Sequence, residues 1–274
     1  MSIKTLLFHL VTNIILFGQD VVMFLGMHKD TGELFFTSNF QTTDPKLYVF
    51  LLAPQAWSLG IELMFYLVAP FIVRKSNKCI LFLLSLSLLI RGVTYFYLGY
   101  NHDPWTYRFF PSELALFLLG TISYRIYKAN NILEIDFMML KLKYIVCVLF
   151  FSVLIFYQFL PESASNPQLK NWALYIFCCL SLPFIFTVSK SSKLDAKIGE
   201  LSYPIYVSHI LVFSILFPLL TVSKWQEQKV FIATISTMFV SYMLVVLIAK
   251  PIEKIRQYRV QALLRKTALQ VGLH

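Results

Sequence analysis

Long apolar runs alternate with short polar connections along the whole sequence. An α-helix needs about 20 mainly apolar residues to cross the roughly 30 Å hydrocarbon core of a bilayer. Strands of a membrane β-barrel instead alternate apolar and polar positions over segments of about 10 residues. The runs here are continuous, so the pattern predicts an all-α membrane protein, a polytopic bundle of about eight transmembrane helices. The predicted spans are residues 5–27, 48–73, 79–98, 108–127, 143–160, 171–189, 203–222 and 229–249.

The composition supports a membrane class and argues against a nucleic-acid partner. Hydrophobic residues make up 58% of the 274 residues and charged residues 14%, against about 25% charged in soluble domains. This excess of apolar side chains predicts the lipid bilayer as a partner. The net charge of +10 comes from Lys and Arg in short tracts between apolar runs, which is typical of cytoplasmic connections rather than of a nucleic-acid surface.

The distribution of basic residues predicts the orientation of the chain. With the N-terminus inside, 17 of the 24 Lys and Arg residues fall in inner connections and six in outer ones, and Arg91 lies within a span. Positive charge concentrates on the cytoplasmic side of membrane proteins, so both termini are predicted to be cytoplasmic. Residues 1–255 are predicted to form a membrane domain and residues 256–274 a basic cytoplasmic tail.

The cysteines predict neither a disulfide framework nor a metal site. All four lie in apolar runs, and none belongs to a CxxC pair or a Cys/His cluster. We therefore expect them to act as small hydrophobic residues. They are Cys79, Cys147, Cys178 and Cys179.

A glutamate stands in the apolar stretch PQAWSLGIELMFYLVAPF, residues 54–71. Ionisable residues within spans usually face the bundle interior and mark sites or pathways. On a helix, Ser58, Glu62 and Tyr66 are spaced i, i+4 and i+8 and share one face. Two interpretations remain open. Glu62 lines a substrate cavity as an acid, a base or an orienting acceptor, or it forms an internal tie to an Arg or Tyr of another helix.

Three further ionisable residues within spans stand out, Arg91, Glu113 and His209, and Arg108 stands at the outer end of its span. Arg108 alone is most simply an interfacial anchor, while the Arg91 guanidinium can neutralise either glutamate. In LSYPIYVSHILVF, Ser202 is predicted to cap a helix whose first turn contains Pro204. A lone membrane histidine such as His209 is more often structural than catalytic.

Four stretches resemble one family in the same order. WSLGIELMFYLVAPF resembles the WSLxxExxFYLxxP signature of the acyltransferase-3 family of integral-membrane O-acyltransferases. RFFPSELALFLLG is similar to the family's R-F-x-x-F-x-x-G span, and IGELSYPIYVSHILVF to its G-x-x-S-Y-x-x-Y-L-x-H span. AKPIEKIRQYR resembles the final E-x-P-F-x-R tail, with Pro and Glu in reversed order. The resemblance extends from about residue 10 to residue 260.

The resemblance implies a function and a set of site residues. Such proteins transfer an acyl group, commonly acetyl from acetyl-CoA, to a hydroxyl of a cell-envelope glycan or a related acceptor, and a bacterial inner membrane is their usual location. We expect acyl-CoA as a donor substrate, with its phosphates at inner basic tracts such as Arg74 and Lys75, and no tightly bound cofactor. Glu62 matches the acidic position of the signature and is the candidate catalytic residue. The candidate substrate-binding residues are Trp57, Ser58, Tyr66, Arg91, Arg108, Glu113, Tyr203, Tyr206 and His209.

The N-terminal part of the family pattern is not found in the sequence. Family members begin with a basic residue followed about ten residues later by a catalytic histidine, then an FFxxSGFL-like span and an RxxR-like tract. Neither Lys4 nor His9 reproduces that spacing. We therefore expect residues 1–255 to be an N-terminally truncated acyltransferase-3 domain. A late start codon, a disrupted gene, or a separate chain that supplies the first helices would each explain this.

Two other function classes stay open from the sequence. One is a non-enzymatic membrane subunit or remnant, which would show no turnover. The other is a transporter or flippase in which Glu62, Arg91 and Glu113 line a path.

Overall fold

A computed structural model describes residues 2–129, 137–159, 168–222 and 224–271 of the chain. The described residues fall into two compact units, and the boundary between the units lies between Ser191 and Ser192. The first contains α1 (Ile3–Ile15), β1 (Leu25–Met27), β2 (Leu34–Phe36), α2 (Trp57–Ile72), α3 (Asn77–Gly92), α4 (Phe110–Ala129), α5 (Phe137–Phe156) and α6 (Gln168–Ser189). The second contains α7 (Lys193–Thr221), α8 (Lys229–Leu244) and α9 (Lys250–Val271).

Six helical segments in the described ranges are long and apolar enough to cross a membrane. They agree with the predicted all-α membrane class, whereas the predicted count of eight spans and the orientation are not established by them. Residue 160 of the fifth predicted run and residues 272–274 of the predicted tail lie outside the described residues. The six segments are Pro54–Ile72, Asn77–Tyr97, Lys141–Phe159, Leu169–Ser189, Lys193–Thr221 and Lys229–Leu264.

The first predicted span, residues 5–27, is not a continuous helix. α1 ends at Ile15, and Leu16 follows in the left-handed conformation with φ of 59°. Thirteen residues of α-helix extend only about 20 Å, too short to cross the hydrocarbon core. The chain continues as a 3₁₀ turn, Gln19–Phe24, and then as the β1–β2 hairpin.

The fourth predicted span corresponds to α4, which is 20 residues long but is not among the six. Its polar residues lower its hydropathy, and two of the charged ones are paired within the protein. Glu113 pairs with Arg91 of α3. The Arg125 guanidinium donates to the carbonyl oxygens of Val73, at 3.0 Å, and Lys75. α4 is therefore held to the α2–α3 turn at one end and to α3 at the other.

Side-chain hydroxyls join the helices of the first unit. The Ser87 hydroxyl on α3 donates to the Pro111 carbonyl oxygen at 2.6 Å and accepts from the Ala115 N–H at 2.9 Å. Further along α4, the Cys179 thiol of α6 donates to the Leu119 carbonyl oxygen at 3.2 Å. Small polar residues permit such close helix packing in membranes, where lipid removes the hydrophobic drive between helices.

The N-terminal hairpin has its own apolar core. Val22, Met23, Met27, Phe40, Leu47 and Leu51 form a buried cluster between the 3₁₀ turns and β1. Gly26 pairs with Phe35 in the antiparallel register. A Cβ atom at Gly26 would lie 2.5 Å from the Phe35 ring, so the hairpin packs this closely because that residue has no side chain.

In the second unit, α7 begins ten residues earlier than the predicted span. Ser192 is its N-cap, and the Ser192 hydroxyl accepts from the Asp195 N–H at 3.2 Å. The predicted cap at Ser202 is therefore wrong, and Pro204 lies inside the helix. The buried Ser208 and Ser241 hydroxyls are 3.1 Å apart and join α7 to α8.

Candidate functional site

A groove of about 660 Å³ lies between α2 and α4 in the first unit. Trp57, Ser58 and Glu113 line one end. Apolar side chains form its middle, where the Phe65 and Phe117 rings stack with centroids 4.4 Å apart. At the other end are residues such as Val73 and Tyr124. The groove thus joins a polar end, which the charge distribution predicts to be outside, to an end beside the α2–α3 turn.

The groove takes in only part of the predicted polar face of α2. Ser58, Ile61 and Phe65 line the groove, whereas Glu62 and Tyr66 are not among its lining residues. The Tyr66 hydroxyl donates to a Glu62 carboxylate oxygen, which confirms that these two share a face. Tyr66 is 57% exposed in the structure. Glu62 therefore lies on a side of α2 outside the groove lining, and its catalytic role remains a prediction.

Arg91 and Glu113 form an ion pair between α3 and α4. Arg91 Nη2 donates to Glu113 Oε1, and Arg91 Nη1 donates to the Thr106 carbonyl oxygen at 3.0 Å. The guanidinium also lies over the Trp172 ring, 5.0 Å from its centroid. The side chains of the pair are 13% and 10% exposed. Of the two glutamates that the sequence allowed as partners for Arg91, the structure selects Glu113.

Arg108 belongs to a cluster at the polar end of the groove. Its Nε and Nη2 atoms donate to the two Asp103 carboxylate oxygens at 2.6 and 3.2 Å. Its guanidinium lies over the Trp57 ring, 4.1 Å from the centroid. The Tyr107 hydroxyl donates to Asp103 at 2.7 Å. Burial, and then this hydrogen bond to a carboxylate, raise the pKa of Tyr107 above its ordinary value. Arg108 therefore orients Trp57 and Tyr107, which line the groove.

A second cavity, of about 170 Å³, lies on the other side of Arg91 and is called here the aromatic pocket. The Tyr100 and Trp105 rings in its wall stack with centroids 4.4 Å apart. The sequence did not predict this pocket, nor the roles of Asp103 and Tyr107, because the pocket combines residues of α3 and its continuation with residues of the following connection and of α6. Its lining residues are Leu88, Arg91, Gly92, Thr94, Tyr95, Phe96, Tyr100, Trp105, Thr106 and Trp172.

The remaining candidates, Tyr203, Tyr206 and His209, lie on α7 in the second unit. Tyr203 is exposed. His209 Nδ1 is 2.8 Å from the Tyr206 carbonyl oxygen and 3.2 Å from that of Ile205, so the ring bonds back to its own helix. This geometry suits the structural interpretation of His209, and a substrate role for these residues stays a prediction. Across the described residues, no group of three or more His, Cys, Asp or Glu side chains is placed to hold a metal ion.

Comparisons with known proteins place the chain in a family. The family model described as an acyltransferase domain matches residues 7–250. An uncharacterized protein of Aquifex aeolicus (strain VF5) is 26% identical over 212 residues, covering 74% of this chain and 89% of that protein. A putative acetyltransferase, ORF330, of Acidianus two-tailed virus is 31% identical over 183 residues, covering 62% of this chain. That match spans 54% of the viral protein's length.

No solved structure matches the chain. The family match covers α2, α3 and α4, the helices that form the groove and the Arg91–Glu113 pair. The six apolar helical segments agree with a membrane location. The chain belongs to the acyltransferase-3 family of membrane acyltransferases.

Proposed function

We propose that the protein transfers an acyl group, expected to be acetyl, from acyl-CoA to a hydroxyl of a glycan or a related cell-envelope acceptor. The observation that carries the proposal is the groove between α2 and α4, which has Ser58 and Glu113 at one end and lies within the family match. Pockets that hold small ligands are mainly apolar with a few placed polar groups. The groove has this character.

The dimensions of the groove suit the thioester arm of the donor. Trp57 and Val73 lie at opposite ends of α2 and both line the groove. At 1.5 Å per residue they are about 24 Å apart, a large part of the roughly 30 Å core. Gly120 lines the groove, and a Cβ atom there would meet no atom within 4 Å. A long, narrow acyl-pantetheine chain therefore has room along the groove.

Basic residues surround the end of the groove at Val73. Arg74 and Lys75 follow Val73 directly, and Arg125 and Lys128 stand in the last turns of α4. Summed positive charge raises the local concentration of anions. We therefore place the donor phosphates at this end, which the charge distribution predicts to be cytoplasmic, and the thioester at the polar end near Glu113.

In the proposed step, the acceptor hydroxyl oxygen attacks the thioester carbonyl carbon and the carbon–sulfur bond breaks. The product is an ester, and the hydroxyl proton passes through a base to the departing CoA sulfur. A positioned base and hydrogen-bond donors aimed at the developing oxyanion accelerate such reactions. We keep Glu62 as the candidate base; it is one turn along α2 from Ser58, and its carboxylate, bonded by Tyr66 outside the groove lining, would have to turn toward the groove to act there. We assign Ser58, at the polar end of the groove, as a donor to the oxyanion; its hydroxyl, which donates to the Gln55 carbonyl oxygen at 3.5 Å in the structure, would turn to the bound thioester.

A groove-filling substitution tests the donor site. Gly120→Leu places a side chain in the groove, and Gly199→Leu on α7 is the matched control because both are helical glycines with open space around the Cβ position. Helix propensity changes equally in both variants. Calorimetry with purified protein and acetyl-CoA should show at least tenfold weaker donor binding for Gly120→Leu and unchanged binding for the control. Equal binding by both variants would refute the donor groove.

Turnover is measured with radiolabelled acetyl-CoA and a cell-envelope polysaccharide preparation. We expect label in the polysaccharide as an alkali-labile ester, with at least a hundredfold slower transfer by Glu62→Gln. Full activity of Glu62→Gln would eliminate Glu62 as the base. Donor binding that is never accompanied by labelled product or free CoA would refute the transferase function.

A further inference from the structure

We propose that the aromatic pocket is a subsite for one neutral pyranose ring of the acceptor, on the opposite side of the Arg91–Glu113 pair from the donor groove. The role of this ring as acceptor rests on the proposed function. Binding of the ring itself is a separate property of the pocket, and it can be measured without turnover.

The ion pair separates the two cavities. Arg91 lines the aromatic pocket and Glu113 lines the groove, and the two side chains are hydrogen-bonded to each other. Both cavities therefore meet at the same level of α3 and α4. A ring in the pocket would lie on the Arg91 side of the pair and the thioester on the Glu113 side, so that acceptor ring and donor are both next to the same ion pair.

The size of the pocket suits a single ring. Its volume of about 170 Å³ is below the roughly 300–1,000 Å³ of pockets that enclose drug-sized ligands. Aromatic rings present negative faces, against which the polarised C–H groups of a pyranose ring pack well. Trp172, Trp105, Tyr100 and Tyr95 supply such rings around the pocket.

The polar atoms of the pocket indicate a ligand that carries oxygen. Within the described part of the chain, the buried Arg91 Nε–H has no acceptor, and buried donors are nearly always satisfied by a partner or by water. The Thr94 hydroxyl donates to the Arg91 carbonyl oxygen at 2.9 Å, so its oxygen is able to accept from a ligand. Sugar hydroxyls both accept and donate, whereas a hydrocarbon chain would leave these groups unsatisfied.

The rings are held in place by the protein. Trp105 Nε1 donates to the Ser38 carbonyl oxygen at 2.9 Å, and the Phe24 ring packs edge-on against Trp105 at 5.1 Å. Trp172 is held under the Arg91 guanidinium. Little side-chain freedom is therefore lost on binding, which favours affinity for a small rigid ring.

The test is binding of three methyl glycosides, those of glucose, galactose and mannose, by saturation-transfer NMR and calorimetry on purified protein. We compare the wild type with Trp172→Leu, Trp172→Phe and the control Trp225→Leu, a tryptophan outside the pocket. We expect at least one glycoside to bind the wild type and the control. Trp172→Leu should weaken it at least tenfold, and Trp172→Phe, which keeps an aromatic face, should restore most of the affinity.

The outcomes separate the pocket from the reaction. Trp172→Leu should leave acetyl-CoA binding unchanged and, in turnover, raise the KM for acceptor more than it lowers kcat. If no acetyl transfer occurs but glycoside binding depends on Trp172, the pocket stands and the transferase function fails. The subsite is refuted if none of the glycosides binds, if Trp172→Leu binds equally well, or if adenosine binds at Trp172 in preference to the glycosides.

Discussion

Replacing Arg91 by methionine removes one member of a buried ion pair and leaves the Glu113 carboxylate without its counter-ion. Removal of one partner from such a pair costs about 3–5 kcal/mol, because a charge then stays in a low-dielectric site. The side chains are 13% and 10% exposed, so little solvent screening reduces this value. The substitution also removes the 3.0 Å bond to the Thr106 carbonyl oxygen. We therefore expect Arg91→Met to lose about 3–5 kcal/mol of unfolding free energy, a large fraction of the roughly 5–15 kcal/mol of a typical domain.

The double variant Arg91→Met/Glu113→Leu separates the free-energy cost of the unpaired charge from the cost of lost packing. Replacing both members of a buried pair by apolar residues of similar volume is often neutral or stabilising. We expect the double variant to recover most of the loss, with a coupling free energy of about 2 kcal/mol or more between the two positions. The measurement is denaturant unfolding in detergent micelles, followed by tryptophan fluorescence, for the full double-mutant cycle.

An exposed pair on α9 is the control. Arg256 donates to both Glu253 carboxylate oxygens at 2.7 and 2.8 Å, and its side chain is 70% exposed. Exposed pairs contribute little because water and salt screen them, so Arg256→Met should leave the unfolding midpoint nearly unchanged. If Arg91→Met is as mild as this control, or if the cycle shows no coupling, Arg91 and Glu113 do not form the buried pair described above.

Three further predictions concern packing and pH. Ser87→Ala removes the hydroxyl that joins α3 to α4 and should cost about 1–3 kcal/mol in unfolding free energy. The control Ser85→Ala, at an exposed position of the same helix, should be nearly neutral. Equal losses in the two variants would refute the hydrogen bonds of Ser87 to α4. Gly60→Ala should lower the thermal midpoint, because its Cβ would lie 3.3 Å from a backbone oxygen, while Gly120→Ala, in open space, should raise stability by about 0.5–1 kcal/mol. The raised pKa of Tyr107 means that the folded protein holds this proton more tightly, so stability should fall as the pH rises above about 10. Unfolding midpoints between pH 9 and 11 should show a shallower fall for Tyr107→Phe, and an unchanged slope would contradict the raised pKa.

The first predicted span shows where an apolar pattern is insufficient. Residues 5–27 are apolar enough for a helix, yet the chain leaves the helix after Ile15 and turns through Gly18, which has φ of 76°. Gln19 and Asp20 then become buried against Gly60 of α2. The high hydropathy of residues 5–27 indicates that the segment is buried. It does not distinguish a membrane helix from a turn and hairpin that later parts of the chain bury.

The sequence identified candidate residues at positions where an ionisable side chain in an apolar run carries a high desolvation cost. Glu62, Arg91 and Glu113 were recognisable because an ionisable group within a span needs a partner or a function. Trp105 and Trp172 gave no such signal, since aromatic residues are common in this sequence. Asp103 also gave no sequence signal, because it lies in a polar connection and binds Arg108 through a turn rather than at helical spacing.

The sequence by itself determined the chemical class of the protein. The length and continuity of its apolar runs require helices in a membrane, and four motifs in order point to the acyltransferase-3 family, which the match over residues 7–250 confirms. Only the tertiary structure decided that Arg91 pairs with Glu113, that Ser58 rather than Glu62 lines the groove, and that aromatic residues from three segments enclose one pocket. Helix formation depends on residues within a few turns of each other. These contacts depend instead on how α2, α3, α4 and α6 pack, which brings together residues that are far apart in the chain.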